Sequence, residues 1–466
     1  MTEVERAFAE YTDEPSRANF GASQASLNTQ YANLYFARLG MLRRPLLAAA
    51  KKRWGELAKN PVKTLDAETD VQTVLLGTLY KDMKNKPNIL DELNRDVFAE
   101  KVADGPEKGA AAAAAKYCGD DDALMLEDES GRIVLTGDVL QGRALVTGVV
   151  IGVRGVLKDG GEFEVDDICL PGLPTQPQLP AADAGGDRFV ALVSGLHLGH
   201  ETLDMLPLQM LSEYLSGLLG SGEDHATQAS TVRLVVAGNS TSNATKSADS
   251  VVKGAGDPAV MKRLQQADQQ ALAQRVSLLD TFLTGVAASV PVDLMPGADD
   301  PCNFLLPQQP FHPCMLPHAS RLETLNLCTN PHACQIDGVS FLGSAGQPLD
   351  DMLRYLPSDD RLAALVESLH FRHVAPTAPD TLGCAPFTKS DPFVVKDGEC
   401  PHVYFAANQP EFAHTLIEGD EGQRVRVVMV PDFGTTRTLV LVNLRTLECS
   451  PVAFSGLDDA APMEAE

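Results

Sequence analysis

Apolar side chains recur at helical spacing at Tyr31, Leu34, Tyr35, Leu39 and Leu42. Pro45 suits the first turn of a second helix carrying Leu46, Leu47, Ala50 and Trp54. The spacing therefore predicts a helical hairpin over 28–60, preceded by a polar, flexible segment 1–27. The pattern then shortens. Val71–Tyr80, Ala123–Glu127, Arg132–Thr136, Ala144–Arg154 and Glu162–Cys169 are β-branched runs bounded by turns such as Asp128–Gly131 and Asp159–Gly161. Five such strands within 61–170 predict a small closed barrel of the OB type. The insert after the first strand carries a helical Asn88–Ala103 and the low-complexity run Ala110–Ala115, both expected outside the barrel core. Residues 171–186 are rich in Pro and Gly and read as a linker.

Strands and helices alternate beyond it. Phe189–Val193, Val232–Ala237 and Pro291–Met295 are strands, separated by helices Leu203–Leu219 and Pro258–Ala288. Leu362–Leu369 is a further helix, and Val403–Phe405, Val425–Pro431 and Thr438–Leu444 are later strands. Alternation predicts a layered α/β domain over 187–455 with functional loops at the carboxyl ends of its strands. An acidic tail, 456–466, follows. The expected fold class is α/β plus β.

A chain of 466 residues is too long for one ordinary core. Its net charge of −25 repels phosphate backbones, so DNA contact is expected to be weak or made through a partner. The barrel strands offer Tyr80 and Phe163 but few other aromatics, amid many Asp and Glu, which favours a protein-binding role over base stacking. No run of about 20 apolar residues exists to span a membrane, and the acidic start Met1–Glu5 predicts no secretory signal. The nine Cys include no C-x-x-C pair, so reduced thiols are expected rather than a zinc module or a disulfide framework.

Calcineurin-like phosphoesterases hold two metals with D-x-H, G-D-x-x-D, G-N-H-D/E, a single His and G-H-x-H on successive strand-end loops. Each loop is present here in that order, stripped of most donors. Ser194-Gly195-Leu196-His197 has Gly195 at the Asp position and keeps His197. Gly238–Ser242 has Asn239 and Ser242 for the two Asp. Gly297–Asp300 has Ala298 and Asp299 for Asn and His, and keeps Asp300. Gly343–Gly346 lacks its His, and Ala407–Pro410 has Asn408 and Pro410 in place of both His. A divalent ion needs several anionic or imidazole donors to offset its dehydration. The expectation is therefore no catalytic site, no bound metal and no cofactor. The alternatives are a residual metal-dependent 3′–5′ exonuclease or phosphodiesterase using His197 and Asp300, and a single-strand DNA-binding barrel.

Other constellations are weaker. His312-Pro313-Cys314 with Cys302 lacks a fourth ligand at suitable spacing and reads as a Pro-braced loop. His373, Asp380 and Cys384 could suggest a Cys–His nucleophile but come with no oxyanion element. Gly195, Gly199 and Gly217–Gly222 fit neither phosphate-loop spacing.

Long strings carry a resemblance. Val292–Gly297, Leu306–Pro310, His312–Cys314, Thr329–Pro331, Ile336–Val339, Gly346-Gln347, Arg372-His373, Ala375–Cys384 and Cys400–Phe405 stand in fixed order. Upstream, Gln30–Leu42, Gly77–Leu79, Leu126–Glu129 and Arg132-Ile133 continue it. Over about residues 28–455 the chain resembles the B-subunit family of DNA polymerases alpha, delta and epsilon, and the delta branch in particular. The resemblance implies an OB domain joined to an inactivated calcineurin-like phosphoesterase domain. It implies a non-catalytic nuclear scaffold that binds the metal-containing C-terminal domain of the polymerase delta catalytic subunit. A third subunit, and through it the sliding clamp, are the other implied partners.

Overall fold

The computed structural model describes residues 6–21, 30–86, 116–119, 121–180, 186–220, 222–242 and 258–454. The expected Asn88–Ala103 helix, the Ala110–Ala115 run and the tail 456–466 lie outside these residues.

The part of the N-terminal segment that is described is not loose. Tyr11–Thr12 is a strand, β1, and Glu14–Phe20 a helix, α1. β1 pairs antiparallel with Gln335 and Ile336. Phe20 is buried against Phe393. A strand pairing and an aromatic anchor thus hold a segment whose polar composition suggested otherwise.

The expected hairpin is instead one helix, α2 (Ala32–Trp54), running straight through Pro45. An interior Pro costs a helix about 3 kcal/mol. Leu39, Leu42, Leu46, Ala50 and Trp54 form one buried stripe on both sides of Pro45, packed on Val74, Leu76, Val150 and Cys169. Burial of that stripe outweighs the lost hydrogen bond.

The barrel strands are β2 (Gln72–Asp82), β3 (Ala123–Glu127), β4 (Arg132–Thr136), β5 (Val150–Leu157) and β6 (Glu162–Cys169), closed in the order β2-β3-β4-β6-β5. β5 starts later than its apolar run suggested. Residues 144–149 are irregular because Gly148, at φ +88°, turns its carbonyl to the buried Arg38. A bulge at Arg154/Gly155 bends β5 onto β6. Any Cβ at Gly155 would lie 2.0 Å from the Glu164 carbonyl oxygen.

Two mixed six-stranded sheets follow. One contains β7 (Phe189–Val193), β8 (Thr231–Ala237), β9 (Val292–Met295), β10 (Leu325–Leu327), β16 (Thr438–Asn443) and β17 (Cys449–Ala453), in the order β10-β9-β8-β7-β16-β17. The other joins β1 to β11 (His332–Ile336), β12 (Val339–Ser344), β13 (Val403–Gln409), β14 (Ala413–Glu418) and β15 (Arg424–Pro431), in the order β1-β11-β12-β13-β15-β14. Val190, Leu192, Val235 and Val440 of the first meet Phe341, Val403, Phe405 and Val428 of the second in one apolar layer. Helices α3 (Met205–Leu215), α4 (Gly222–Ser230) and α5 (Pro258–Ala287) precede β8 and β9, and Leu208, Leu211, Leu279 and Leu283 of α3 and α5 cover the outer face of the first sheet. Helices α6 (Gln347–Arg354) and α7 (Arg361–His370) cover the second and share its core with the barrel interior.

The linker reading also changes. Residues 171–180 are seated: Arg372 donates to the Gly172 and Leu173 carbonyls, and Gln176 donates to those of Pro401 and Arg424. A Pro-rich segment has acceptors in excess of donors, and these side chains supply the difference.

Candidate functional site

The loops singled out in the sequence lie at the carboxyl ends of β7, β8, β9, β12 and β13, and the end of β15 joins them. They are knitted together by backbone. Gly195 N–H donates to Gly238 O, His197 N–H to Asn239 O and Leu198 N–H to Ser240 O, at 3.0, 3.1 and 3.0 Å. Phe433 and Gly434, which open the short helix α8 (Phe433–Thr436), donate to the carbonyls of Ser194 and Gly195. His197, Asn239 and Asn408 all hold positive φ, of 45°, 51° and 56°. Three non-glycine residues in the left-handed region at three strand ends mark a backbone geometry kept at some cost.

The surviving donors are engaged with protein. Asp300 is buried and accepts from the amides of Ser240, Thr241 and Gly297 and from the Thr241 hydroxyl. Burial nevertheless pushes its carboxyl above the usual range. His197 has a partner that the motif comparison missed. Its Nε2 lies 2.5 Å from Asp432 Oδ2, at the end of β15. That contact raises the imidazole above its ordinary value despite partial burial. Asp432 fills the room beside Gly195: a Cβ there, at φ +65°, would lie 2.1 Å from Asp432 Oδ2. Asn239 Oδ1 accepts from the Asp299 amide. Asn408 Nδ2 donates to the carbonyls of Ala237 and Ala345, tying β8 to the loop after β12. Ser242 is buried beside Arg275, which donates to its carbonyl. Ala298 and Pro410 are exposed and take no part.

The residues do not suit a two-metal centre. One imidazole is committed to one carboxylate, and the other buried carboxylate to four donors. Among the described residues, the buried polar atoms left without partners there, Asn408 Oδ1 and Ser240 Oγ, are neutral oxygens, too weak alone to replace a cation's hydration.

A second network lies under the loops, built from residues of the long strings. Asn330 Nδ2 donates to Gln308 Oε1 and Gln347 Oε1, and Gln347 Nε2 also donates to Gln308 Oε1. Gln308 Nε2 donates to the Gly297 carbonyl, and Ala345 N–H to Asn330 Oδ1. These amides, of which Gln308 and Asn330 are buried, fix the relative positions of the loops after β9 and β12.

The remaining candidates are structural. His312 Nδ1 accepts from the Cys314 amide, and burial pushes the Cys302 thiol up to about 12. His373 has both nitrogens occupied, Nε2 by Asp391 and Nδ1 by the Ala375 amide, so it cannot activate Cys384, whose thiol burial also raises to about 12. Asp380 is bound by Lys86 and the Tyr355 hydroxyl. In the barrel, Phe163 is fully buried, and Tyr80 already carries the Arg132 guanidinium 4.5 Å above its ring. Neither is a free platform for a base.

Comparison with known proteins assigns both parts of the chain to families. The family of B subunits of DNA polymerases alpha and epsilon matches residues 190–414, and the family described as the DNA polymerase delta subunit OB-fold domain matches residues 30–168. The chain thus pairs an OB-type barrel with a polymerase B-subunit domain. It is 40% identical to the DNA polymerase delta small subunit of Arabidopsis thaliana, over 91% of each chain. It is 39% identical to that of Oryza sativa subsp. japonica, over 98% of this chain and 100% of the relative. It is 39% identical to DNA polymerase delta subunit 2 of Drosophila melanogaster, over 91% of this chain and 93% of the relative. The chain belongs to the family of DNA polymerase delta small subunits.

Proposed function

We propose that this chain is a non-catalytic scaffold of DNA polymerase delta in the nucleus. It binds the metal-containing C-terminal domain of the catalytic subunit and the elongated third subunit, which reaches the sliding clamp. Its two-sheet domain is an inactivated calcineurin-like phosphoesterase. The observation that carries this reading is the fate of the strand-end donors. The loops keep their order and strained backbone, while His197, Asp300, Asn239 and Asn408 spend their bonds on one another's loops. That supports a site retained for shape. The net charge of −25 supports a basic partner.

Affinity purification of the tagged chain from its native source tests the proposal. The expected result is stoichiometric recovery with a polymerase catalytic subunit, and loss of that recovery when the catalytic subunit's C-terminal domain is deleted. Recovery as a free, monodisperse chain would overturn it. The partner-free chain should also show no Mn²⁺-stimulated hydrolysis of a 3′-ended oligonucleotide. Turnover that disappears in His197→Ala and Asp300→Ala would favour a residual phosphodiesterase instead.

A further inference from the structure

Between the two sheets, next to β1, two buried polar atoms lack hydrogen-bond partners, Asp293 Oδ2 and His332 Nε2. Asp293 on β9 is paired with Asn326 on β10 and with Val235 on β8. Arg233, two residues before Val235, projects to the same face. Its Nη1 donates to Asp293 Oδ1 at 2.6 Å, and its guanidinium covers the Tyr11 ring. Asn326 Nδ2 lies 3.3 Å from the same Oδ1. The other oxygen, Asp293 Oδ2, has no hydrogen-bond partner although the residue is fully buried.

The facing sheet supplies complementary groups. Residues 332, 334 and 336 of β11 are the buried alternate positions, so His332 and Cys334 both point into the sandwich. His332 Nδ1 lies 3.2 Å from Ser16 Oγ on α1. Its Nε2 is buried and unpartnered, 3.8 Å from Asp293 Oδ2. That is too long for a hydrogen bond. It is close to the roughly 3.3–3.6 Å between donors sharing one tetrahedral zinc, whose bonds run about 2.0–2.3 Å. One donor atom from each of Asp293, His332 and Cys334 lies within 4.8 Å of the other two. No other such group of His, Cys, Asp and Glu occurs among the described residues.

We propose that Asp293, His332 and Cys334 supply three of the four positions of a divalent cation of the zinc class, which joins the two sheets beneath the N-terminal segment; unlike the His312–Cys314 loop, this set is buried and its donor atoms already converge. Carboxylate oxygen, imidazole nitrogen and thiolate sulfur are the mixed donor set that zinc accepts. The Ser16 hydroxyl on Nδ1 orients the ring and directs the Nε2 lone pair inward. An orphaned carboxylate oxygen and an orphaned ring nitrogen are both costly in a dry interior, and one cation satisfies both. Binding replaces the Cys334 S–H bond with a metal–sulfur bond and releases that proton to solvent. Asp293 and the Cys334 thiolate then balance the cation, and Asp13, whose Oδ2 accepts from Asn326, is a further anion beside Arg233's partner Asp293 through that shared donor. The ligands come from two sheets, which is why no C-x-x-C spacing signals them. The site is independent of the strand-end loops and of the proposed scaffold role.

The test uses the full chain, stripped with chelator and titrated with Zn²⁺ and, separately, Co²⁺. The expected result is one Zn²⁺ per chain after desalting and a near-ultraviolet thiolate-to-cobalt charge-transfer band. Both should be lost in Cys334→Ser and kept in Cys314→Ser, which changes an exposed thiol. Ser16→Ala should weaken the zinc affinity about 10–100-fold while keeping the band. A folded wild-type chain that retains no Zn²⁺ and gives no band overturns the proposal, whatever the variants do. So does a band that persists unchanged in both Cys334→Ser and His332→Ala.

Discussion

Arg38 offers the sharpest test of how the barrel, α2 and the two-sheet domain are joined. Its side chain is fully buried, as is that of Asp391, and Nε donates to Asp391 Oδ2 at 2.7 Å. Nη1 donates to the carbonyls of Gly148 and Pro376, and Nη2 to that of Ala378. One guanidinium therefore spans three segments distant in sequence. Arg38→Met keeps the aliphatic bulk and removes every one of these bonds. Removing one partner of a buried pair costs about 3–5 kcal/mol, because the other charge is stranded. Three carbonyls lose donors as well, at up to about 1–3 kcal/mol each where water cannot reach them. Asp391 retains His373 Nε2 at 3.0 Å and the Phe393 amide at 3.0 Å, which limits the loss. The expected destabilisation is about 4 kcal/mol, a large share of the roughly 5–15 kcal/mol available to a folded protein. Trp54, the single tryptophan, sits at the end of α2 with its indole N–H on Asp167. Urea unfolding followed by its fluorescence reports on this joint directly. Arg38→Met with Asp391→Leu should cost less than the sum of the two single changes. A single-variant loss below about 1 kcal/mol, or strict additivity, would refute the account.

Acid should unfold the protein in two stages. Burial and Arg38 hold the His373 imidazole down at about 4, so between pH 6.5 and 4 the unfolded chain takes up a proton that the folded chain refuses. Stability then falls by about 3 kcal/mol across that window. Below it the depressed Asp391 carboxyl adds a further loss as it is protonated. His373→Gln should flatten the upper stage, and an unchanged pH profile would count against the assignment. Gly195→Asp restores a metal-ligand residue type but meets Asp432 and a left-handed backbone. We expect about 2–4 kcal/mol of destabilisation in thermal melts and no gain of Mn²⁺-dependent hydrolysis. Asp300→Ala releases four donors from two loops and should cost about 3 kcal/mol, with faster amide exchange at Ser240, Thr241 and Gly297.

Elements with strong periodicity were legible in the sequence: β3, β4, β6, β7 and α5 fall at or within a residue of their expected bounds. Short strands were not. β10 has three residues and β17 begins at Cys449 and contains Pro451, so neither offers a period to read. The β11–β12 hairpin was readable in principle, since Asp337-Gly338, at φ +49° and +74°, is a type I′ turn pair. Pro45 misled because local chemistry breaks a helix while a distant barrel face mends it. At the strand ends, the replaced donors were visible in order, but their new partners were not. Asp432 lies 235 positions from His197, and only the fold brings them together.

The same long separations bear on how the chain is made. Arg38 waits for Asp391, 353 positions later. At about 5–20 residues per second of synthesis, that is roughly 20–70 s during which α2 has left the ribosome without its buried ion-pair partner. The apolar stripe of α2 can settle on the barrel early, but its cationic face cannot be satisfied until the last fifth of the chain emerges. A nascent chain in that condition presents a charged, half-packed helix to whatever is nearby. Ribosome-associated chaperones, or a partner chain under synthesis alongside, would therefore act on this protein before its own fold is complete.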